Sequence, residues 1–167
     1  MKNMVNLYIF AAIIDSSRLF NCMNIYKNIK ELPTFKNAVI TIGSFDGVHS
    51  GHQKILVRVK NLAEEIDGES VVITFYPHPR NIIDSADQEI NVLNTLDEKI
   101  NLLEKIGIKN MVVVPFSFEF SQQAPREYIE NFIIACFHPS YIVIGYDHRF
   151  GLNRGGDINM FREYEDQ

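Results

Sequence analysis

Ala38-Val39-Ile40-Thr41-Ile42 runs directly into Gly43-Ser44-Phe45-Asp46-Gly47-Val48-His49-Ser50-Gly51-His52, and the residues that follow carry apolar side chains at helical spacing. An apolar run, a glycine-rich link and an amphipathic segment, in that order, predict a parallel strand handing over to a helix. At such a handover the free amides and the positive end of the helix dipole face outward, which is where α/β proteins hold phosphate. His49 and His52, with Ser50 and Gly51 between them, make an HxGH element. Its glycine lets another group approach closely.

The same alternation continues outward from this stretch. Nearly continuous apolar runs at Ala38 to Ile42, Ser70 to Phe75, Met111 to Pro115 and Tyr141 to Ile144 predict strands covered on both faces. After the first run, Ile55, Leu56, Val59, Leu62, Ala63 and Ile66 recur on one helical face, with Gly68 placed to end the helix. Lys54, Arg58, Lys60 and Glu64 read as its solvated side. Thr95 and Glu98 form a capping-box pair at the start of a second helix, and Gly107 stops it. Pro125 suits the first turn of a third helix reaching about Cys136, with Tyr128, Ile129, Phe132 and Ile133 on its buried stripe, and Pro139 breaks the chain before the last strand. The order βαβαβαβ predicts an α/β fold: a parallel sheet with right-handed crossovers and helices on both faces. No repeat or linker interrupts residues 38 to 150.

The unusual segments all fall on one edge of that sheet. Gly43 to His52, Tyr76-Pro77-His78-Pro79-Arg80, Phe116 to Ser121 and Gly145 to Gly156 each follow a strand, so all four converge on its carboxyl edge. Ligands of open α/β sheets bind in the crevice outside that edge.

Composition narrows the partners. The 167 residues suit one domain, and 16 Lys and Arg against 21 Asp and Glu give a net charge of -5 without a basic block that could track a nucleic acid. Small phosphorylated molecules remain as ligands, with no nucleic acid and no membrane among the expected partners. Cys22 and Cys136 match neither a metal-ligand nor a redox spacing and read as reduced thiols of a cytoplasmic protein. Residues 1–22 do not fit the rest. Val5 to Ile14 is an apolar run behind Lys2, too short to span a bilayer and without a small-residue cleavage site after it. We read 1–22 as a leader extraneous to a domain over 23–167, with a genuine anchor or an ordered extra element as alternatives.

His49 and His52 at this spacing suit an anion cradle: amides point at phosphate, and imidazoles strengthen their donation as negative charge builds. A zinc reading of His49, His52 and Asp46 lacks a further ligand at a recognisable spacing, so no protein metal site is expected. The chain has neither the GxxxxGK[ST] of a P-loop nor the GxGxxG of a dinucleotide fold. That points away from hydride or γ-phosphoryl transfer and toward nucleotidyl transfer, in which a substrate phosphate attacks the α-phosphorus of a nucleoside triphosphate. Alignment and charge stabilisation dominate such a step, and an ionised phosphate needs no general base.

Gly43 to His52, with Thr74-Phe75-Tyr76-Pro77-His78-Pro79 and Gly145-Tyr146-Asp147-His148-Arg149-Phe150-Gly151-Leu152-Asn153-Arg154-Gly155-Gly156-Asp157, resembles the adenylyltransferase half of the bacterial bifunctional riboflavin kinase/FAD synthetases. The resemblance covers roughly Met23 to the end. It implies a Rossmann-like HxGH nucleotidyltransferase fold that joins FMN and ATP into FAD and pyrophosphate, with Mg2+. Carried over by position, it implies His49 and His52 as catalytic groups on the ATP phosphates and Gly43, Phe45, Asp46 and Gly51 as the shape of the nucleotide cradle. Arg154 would pair with phosphate. Pro77, His78 and Pro79 would border the flavin, and Asp147 would reach the nucleotide or flavin. Phe118 and Phe120 read as wall or core. His148 stands where the family leads one to expect an aromatic residue. The family's later serine- and threonine-rich signature ending in arginine does not occur in the sequence, and neither does its riboflavin-phosphorylating β-barrel. The domain is therefore expected to be incomplete at its C-terminus. Two alternatives are another HxGH nucleotidyltransferase, acting on phosphopantetheine or a cytidylyl acceptor, and a catalytically weak nucleotide-binding remnant. The oligomeric state is left open.

Overall fold

The β-rich apolar runs form the strands of a parallel sheet in a computed structural model that describes residues 22–83 and 93–165. In chain order the strands are β1 (Asn24–Tyr26), β2 (Val39–Ile42), β3 (Ser70–Tyr76), β4 (Asn110–Pro115) and β5 (Tyr141–Ile142). The helices are α1 (Ser50–Glu65), α2 (Pro79–Ile83), α3 (Leu96–Ile106) and α4 (Phe118–Ser121). α5 joins α-helical Pro125–Glu127, π-type Tyr128–Ile134 and α-helical Ala135–Phe137, and α6 is Ile158–Arg162. The sheet is five-stranded in the order β1-β4-β3-β2-β5, and each of its neighbouring pairs is parallel.

Side chains alternate across a strand, and here each face has its own core. Val39, Val72, Met111 and Val113 lie with Leu56, Val59 and Leu62 of α1 and Leu103 of α3. Ile40, Ile42, Val71, Ile73, Val112 and Val114 lie with Tyr128, Ile129, Phe132, Ile133 and Phe137 of α5. The path explains the two faces. It steps outward from β2 to β3 to β4 and then returns past β2 to β5, and crossovers of one hand put their helices on opposite faces when the direction of travel reverses. The fold is the expected α/β parallel sheet with helices on both faces.

Local signals placed most element ends. Thr95 Oγ1 accepts from the Glu98 amide at 3.2 Å while Glu98 Oε2 accepts from the Thr95 amide at 2.8 Å, the reciprocal capping box. Gly107 closes α3 with φ 90, a left-handed position that suits a residue without a β-carbon. Pro125 stands in the first turn of α5.

Three expectations need correction. A fifth strand precedes the four expected ones: β1 pairs with β4, and Asn24 Nδ2 donates to Asn110 Oδ1 at 3.1 Å. Gly68 is not the residue that turns the chain out of α1. Asp67 takes the left-handed conformation (φ 51), and Gly68 is required because a β-carbon there would stand 2.3 Å from the Asn37 carbonyl oxygen. Only Tyr141 and Ile142 of the last run pair as a strand, although Val143 still donates to Ile40 O at 2.9 Å. After β3 and after β4 the chain coils at once into α2 and α4. Of the leader over 1–22, all but Cys22 lies outside the described residues, as does the far end, 166–167.

Candidate functional site

The crevice lies where the path reverses, between β2 and β5, because the loops leaving these neighbouring strands turn toward opposite faces of the sheet. The loop after β2 supplies the cradle. Its residues leave the extended region abruptly: Phe45 has φ 47, Gly47 φ 75 and Val48 φ 26. Phe45 and Val48 turn inward, 2% and 4% exposed, and anchor the loop on the α1 side of the core. His49, the N-cap of α1, accepts the His52 amide on Nδ1 at 3.4 Å. The two imidazoles stack with ring centroids 3.8 Å apart and planes 21° from parallel. Phe45 meets His52 edge-on at 5.2 Å. Gly51 lies close under this stack, since a β-carbon there would come 3.1 Å from the His49 ring and press on it.

The His52 Nδ1 atom is buried without a hydrogen-bond partner among the described residues. Burial, and next the charge of His49, hold the His52 imidazole below its ordinary value, with Asp46 and Asp147 pulling the other way. An imidazole with an unpartnered nitrogen beside a helix amino end, where free amides face outward, suits the approach of an anion.

Asp46 ties the cradle loop to the lead-in of α3, and its charge also reaches His52 and His78. Its Oδ1 accepts the amides of Leu93 at 2.7 Å and Asn94 at 3.2 Å. Gly43 packs against the Phe45 ring. After β3 the Tyr76–Pro77 peptide is cis, and His78 Nδ1 accepts the Arg80 amide at 3.3 Å. Burial holds His78 low, and the fields of Asp46 and Lys99 both reach it, so the Pro77-His78-Pro79 turn stands over the same edge as the cradle.

The loop after β5 is hung from Phe150, 5% exposed, which stacks on Tyr128 at 5.1 Å and meets Phe161 at 4.7 Å. A bridge between Phe150 and Gly156 and an ion pair between Arg149 and Asp157 at 3.2 Å close the loop. Asp147 lies within electrostatic reach of His52. His148 stacks on Phe150 at 5.9 Å, held low by burial, with its Nε2 also unpartnered among the described residues. Arg154 stands exposed on the same loop with φ 56 and acts on His148 through its charge. The structure thus gathers Gly43, Phe45, Asp46, His49, Gly51, His52, His78 and Asp147 around one edge and leaves Arg154 at its solvent margin.

The expectation for Phe118 and Phe120 divides. Phe120 is wall, within an aromatic cluster with Phe75, Phe116, Tyr128 and Phe132. Phe118 is 59% exposed and is not core.

Sequence reasoning missed Lys99. This residue of α3 is only 7% exposed, and its Nζ donates to the Ser44 carbonyl in the cradle loop and to Thr74 Oγ1 at 3.4 Å. Burial depresses its ammonium, and Asp46 partly restores it. The signal was present: Lys99 falls on the stripe of Leu96 and Leu103, a charge at a core position of the helix.

Among the described residues no three His, Cys, Asp or Glu side chains cluster to hold a metal, and no helix is long and apolar enough to cross a membrane.

Comparison with known proteins agrees with this architecture. The chain is 32% identical over 130 residues to a bifunctional riboflavin kinase/FMN adenylyltransferase of Listeria monocytogenes, covering 78% of this chain and 41% of that protein. It is 32% identical over 129 residues to an FAD synthetase of the same organism, covering 75% of this chain and 50% of that one. The chain therefore spans two fifths to a half of these curated relatives' length. The crystal structure of a macrolide-efflux protein from Streptococcus pneumoniae matches with a TM-score of 0.74 over 85% of this chain and 55% of that chain, at 24% identity, which shows the fold alone. The family model for FAD synthetase matches residues 32–167. The chain belongs to the FAD synthetase family.

Proposed function

We propose that the chain transfers an adenylyl group from ATP to FMN, giving FAD and pyrophosphate, as a step of flavin cofactor biosynthesis. One observation carries the reading: two stacked imidazoles at the amino end of α1, one with an unpartnered buried nitrogen, lie at the point where the sheet's path reverses. In the step an FMN phosphate oxygen forms a bond to the α-phosphorus while the bond from that phosphorus to the bridging oxygen breaks, and pyrophosphate leaves with the electron pair.

His49 and His52 would hold the triphosphate and donate more strongly as charge moves onto the leaving group. Gly43, Phe45, Asp46 and Gly51 would shape the cradle, Pro77, His78 and Pro79 the flavin side, and Asp147 the boundary between the two. Arg154 would come to phosphate from the solvent margin. Mg2+ would enter with the triphosphate and offset part of its charge. The partners would be these two small molecules, in the cytoplasm, without nucleic acid or membrane.

Incubating the chain with FMN, MgATP and inorganic pyrophosphatase, and following FAD by chromatography, tests the reading. FAD formation that requires both substrates supports it. ATP binding without any FAD would establish the remnant instead, and label from [α-32P]ATP on another acceptor only would establish a different nucleotidyltransferase.

A further inference from the structure

We propose that Lys99 is a positioning residue of the cradle: its buried ammonium, held by the Ser44 carbonyl and the Thr74 hydroxyl, fixes the loop that presents His49 and His52 to a polyphosphate. The inference rests on the phosphate role proposed above for the two histidines, but not on the identity of the acceptor.

Burying an ammonium is costly, and an apolar side chain on this stripe of α3 would avoid the cost. Here the charge is placed where three elements meet. Ser44 belongs to the loop after β2, Thr74 to β3 and Lys99 to α3. The Ser44 carbonyl accepts from both side chains, from Thr74 Oγ1 at 3.3 Å and from Lys99 Nζ, and Thr74 Oγ1 accepts from Lys99 in turn. Strand alternation explains the meeting, because Thr74 follows Val72 onto the face that α1 and α3 cover.

The contact has a counterpart running the other way. Asp46 takes the amides of Leu93 and Asn94, just before α3. A cation of α3 therefore holds one loop residue, while an anion of the loop holds the lead-in of α3. Between the two tethered residues lies Phe45, whose φ of 47 is a left-handed backbone that a residue with a β-carbon adopts only under constraint. The Phe45 ring is the one that meets His52. Lys99 thus acts on the imidazole pair through Ser44 and Phe45. Its field also reaches His52 and His78 directly, adding positive potential under a site proposed to take anions.

Lys99→Met keeps the length of the side chain and removes its donors; Thr74→Val is nearly isosteric and removes the hydroxyl. Binding of inorganic tripolyphosphate and of ATP, measured by calorimetry on the full chain, is compared for wild type, the two single variants, the double variant and Lys99→Arg, with melting followed by circular dichroism. Lys99→Met should weaken tripolyphosphate binding by about tenfold or more, the scale on which groups that orient a binding shell act. Thr74→Val should weaken it by about threefold, as loss of one neutral hydrogen bond does. The double variant should be no worse than Lys99→Met, because one cluster is lost in both. Lys99→Arg should recover part of the affinity. Where FAD is formed, the KM for ATP should rise while that for FMN stays unchanged.

Wild-type tripolyphosphate affinity in a folded Lys99→Met overturns the proposal. If that variant does not fold, wild-type affinity in Thr74→Val overturns it. A wild-type chain that binds tripolyphosphate but forms no FAD removes the adenylyl-transfer reading and leaves the Lys99 result to stand on binding. Failure of the wild type to bind either anion overturns both.

Discussion

His49 and His52 stack 3.8 Å apart at the N-cap of α1, and the charge of the first is among the forces that hold the second low. Two imidazolium rings in that arrangement repel unless an anion lies against them. Binding of a polyphosphate should therefore raise the affinity of His52 for a proton. ATP binding near neutral pH should be accompanied by net proton uptake, measured as a calorimetric heat that varies with the ionisation enthalpy of the buffer. Buffer-independent heat would remove the imidazole pair from phosphate binding.

His52→Ala should cost adenylyl transfer at least about tenfold, equivalent to about 1.4 kcal/mol of barrier. The fold should survive, since the Nδ1 of the lost ring has no hydrogen-bond partner among the described residues. The check is FAD production alongside a thermal melt. Unimpaired turnover would refute the phosphate role.

Stability should fall as the solution is acidified through the histidine range. His52, His78 and His148 all sit below an ordinary value of 6.5 in the folded chain, chiefly because burial disfavours the cation. Below 6.5 the unfolded chain therefore binds these protons first, so the histidine contribution is present above that pH and is lost as pH falls through the depressed folded values. Glu98 and Glu119 act in the same direction but in the lower carboxylate range. His148→Phe keeps a ring against Phe150 and removes one titrating group, so it should flatten the dependence of melting temperature on pH above about pH 5. An unchanged slope would count against His148 as a contributor.

Asp46→Ala should destabilise the chain by about 1–2 kcal/mol, because two amides lose a charged acceptor at once. Chemical denaturation measures the loss. Hydrogen exchange should quicken at the amides of Leu93 and Asn94 ahead of those in β3, and protection that stays uniform would show that the tether is dispensable.

Gly68→Ala should cost more than about 1 kcal/mol, since a β-carbon 2.3 Å from the Asn37 carbonyl must displace backbone rather than a flexible side chain. Gly51→Ala presses instead on the His49 ring. It should reduce phosphate affinity more than stability, which a paired melt and titration would separate.

Much of the fold was legible because its signals are local. Capping at Thr95 and Glu98 and the turn at Gly107 concern chemistry within a few residues. The apolar runs of β2, β3 and β4 report strands covered on both sides, whatever they pair with. β1 was not legible, since three residues carry no periodicity and Asn24 finds its reason only in Asn110, far along the chain. The HxGH element could be read because both histidines belong to one turn. Lys99 could not be assigned a role, because its acceptors come from two other elements.

By itself, then, the sequence determined an alternating α/β order, a parallel sheet and a phosphate-suited turn ending in His49 and His52, all properties of neighbouring residues. Only the tertiary structure decided that β5 returns beside β2, that Asp46 takes the amides leading into α3, and that a buried lysine holds the Ser44 carbonyl. Those outcomes depend on which helix covers which face. Burial of apolar surface, which is non-directional, drives that choice, and no local pattern encodes it.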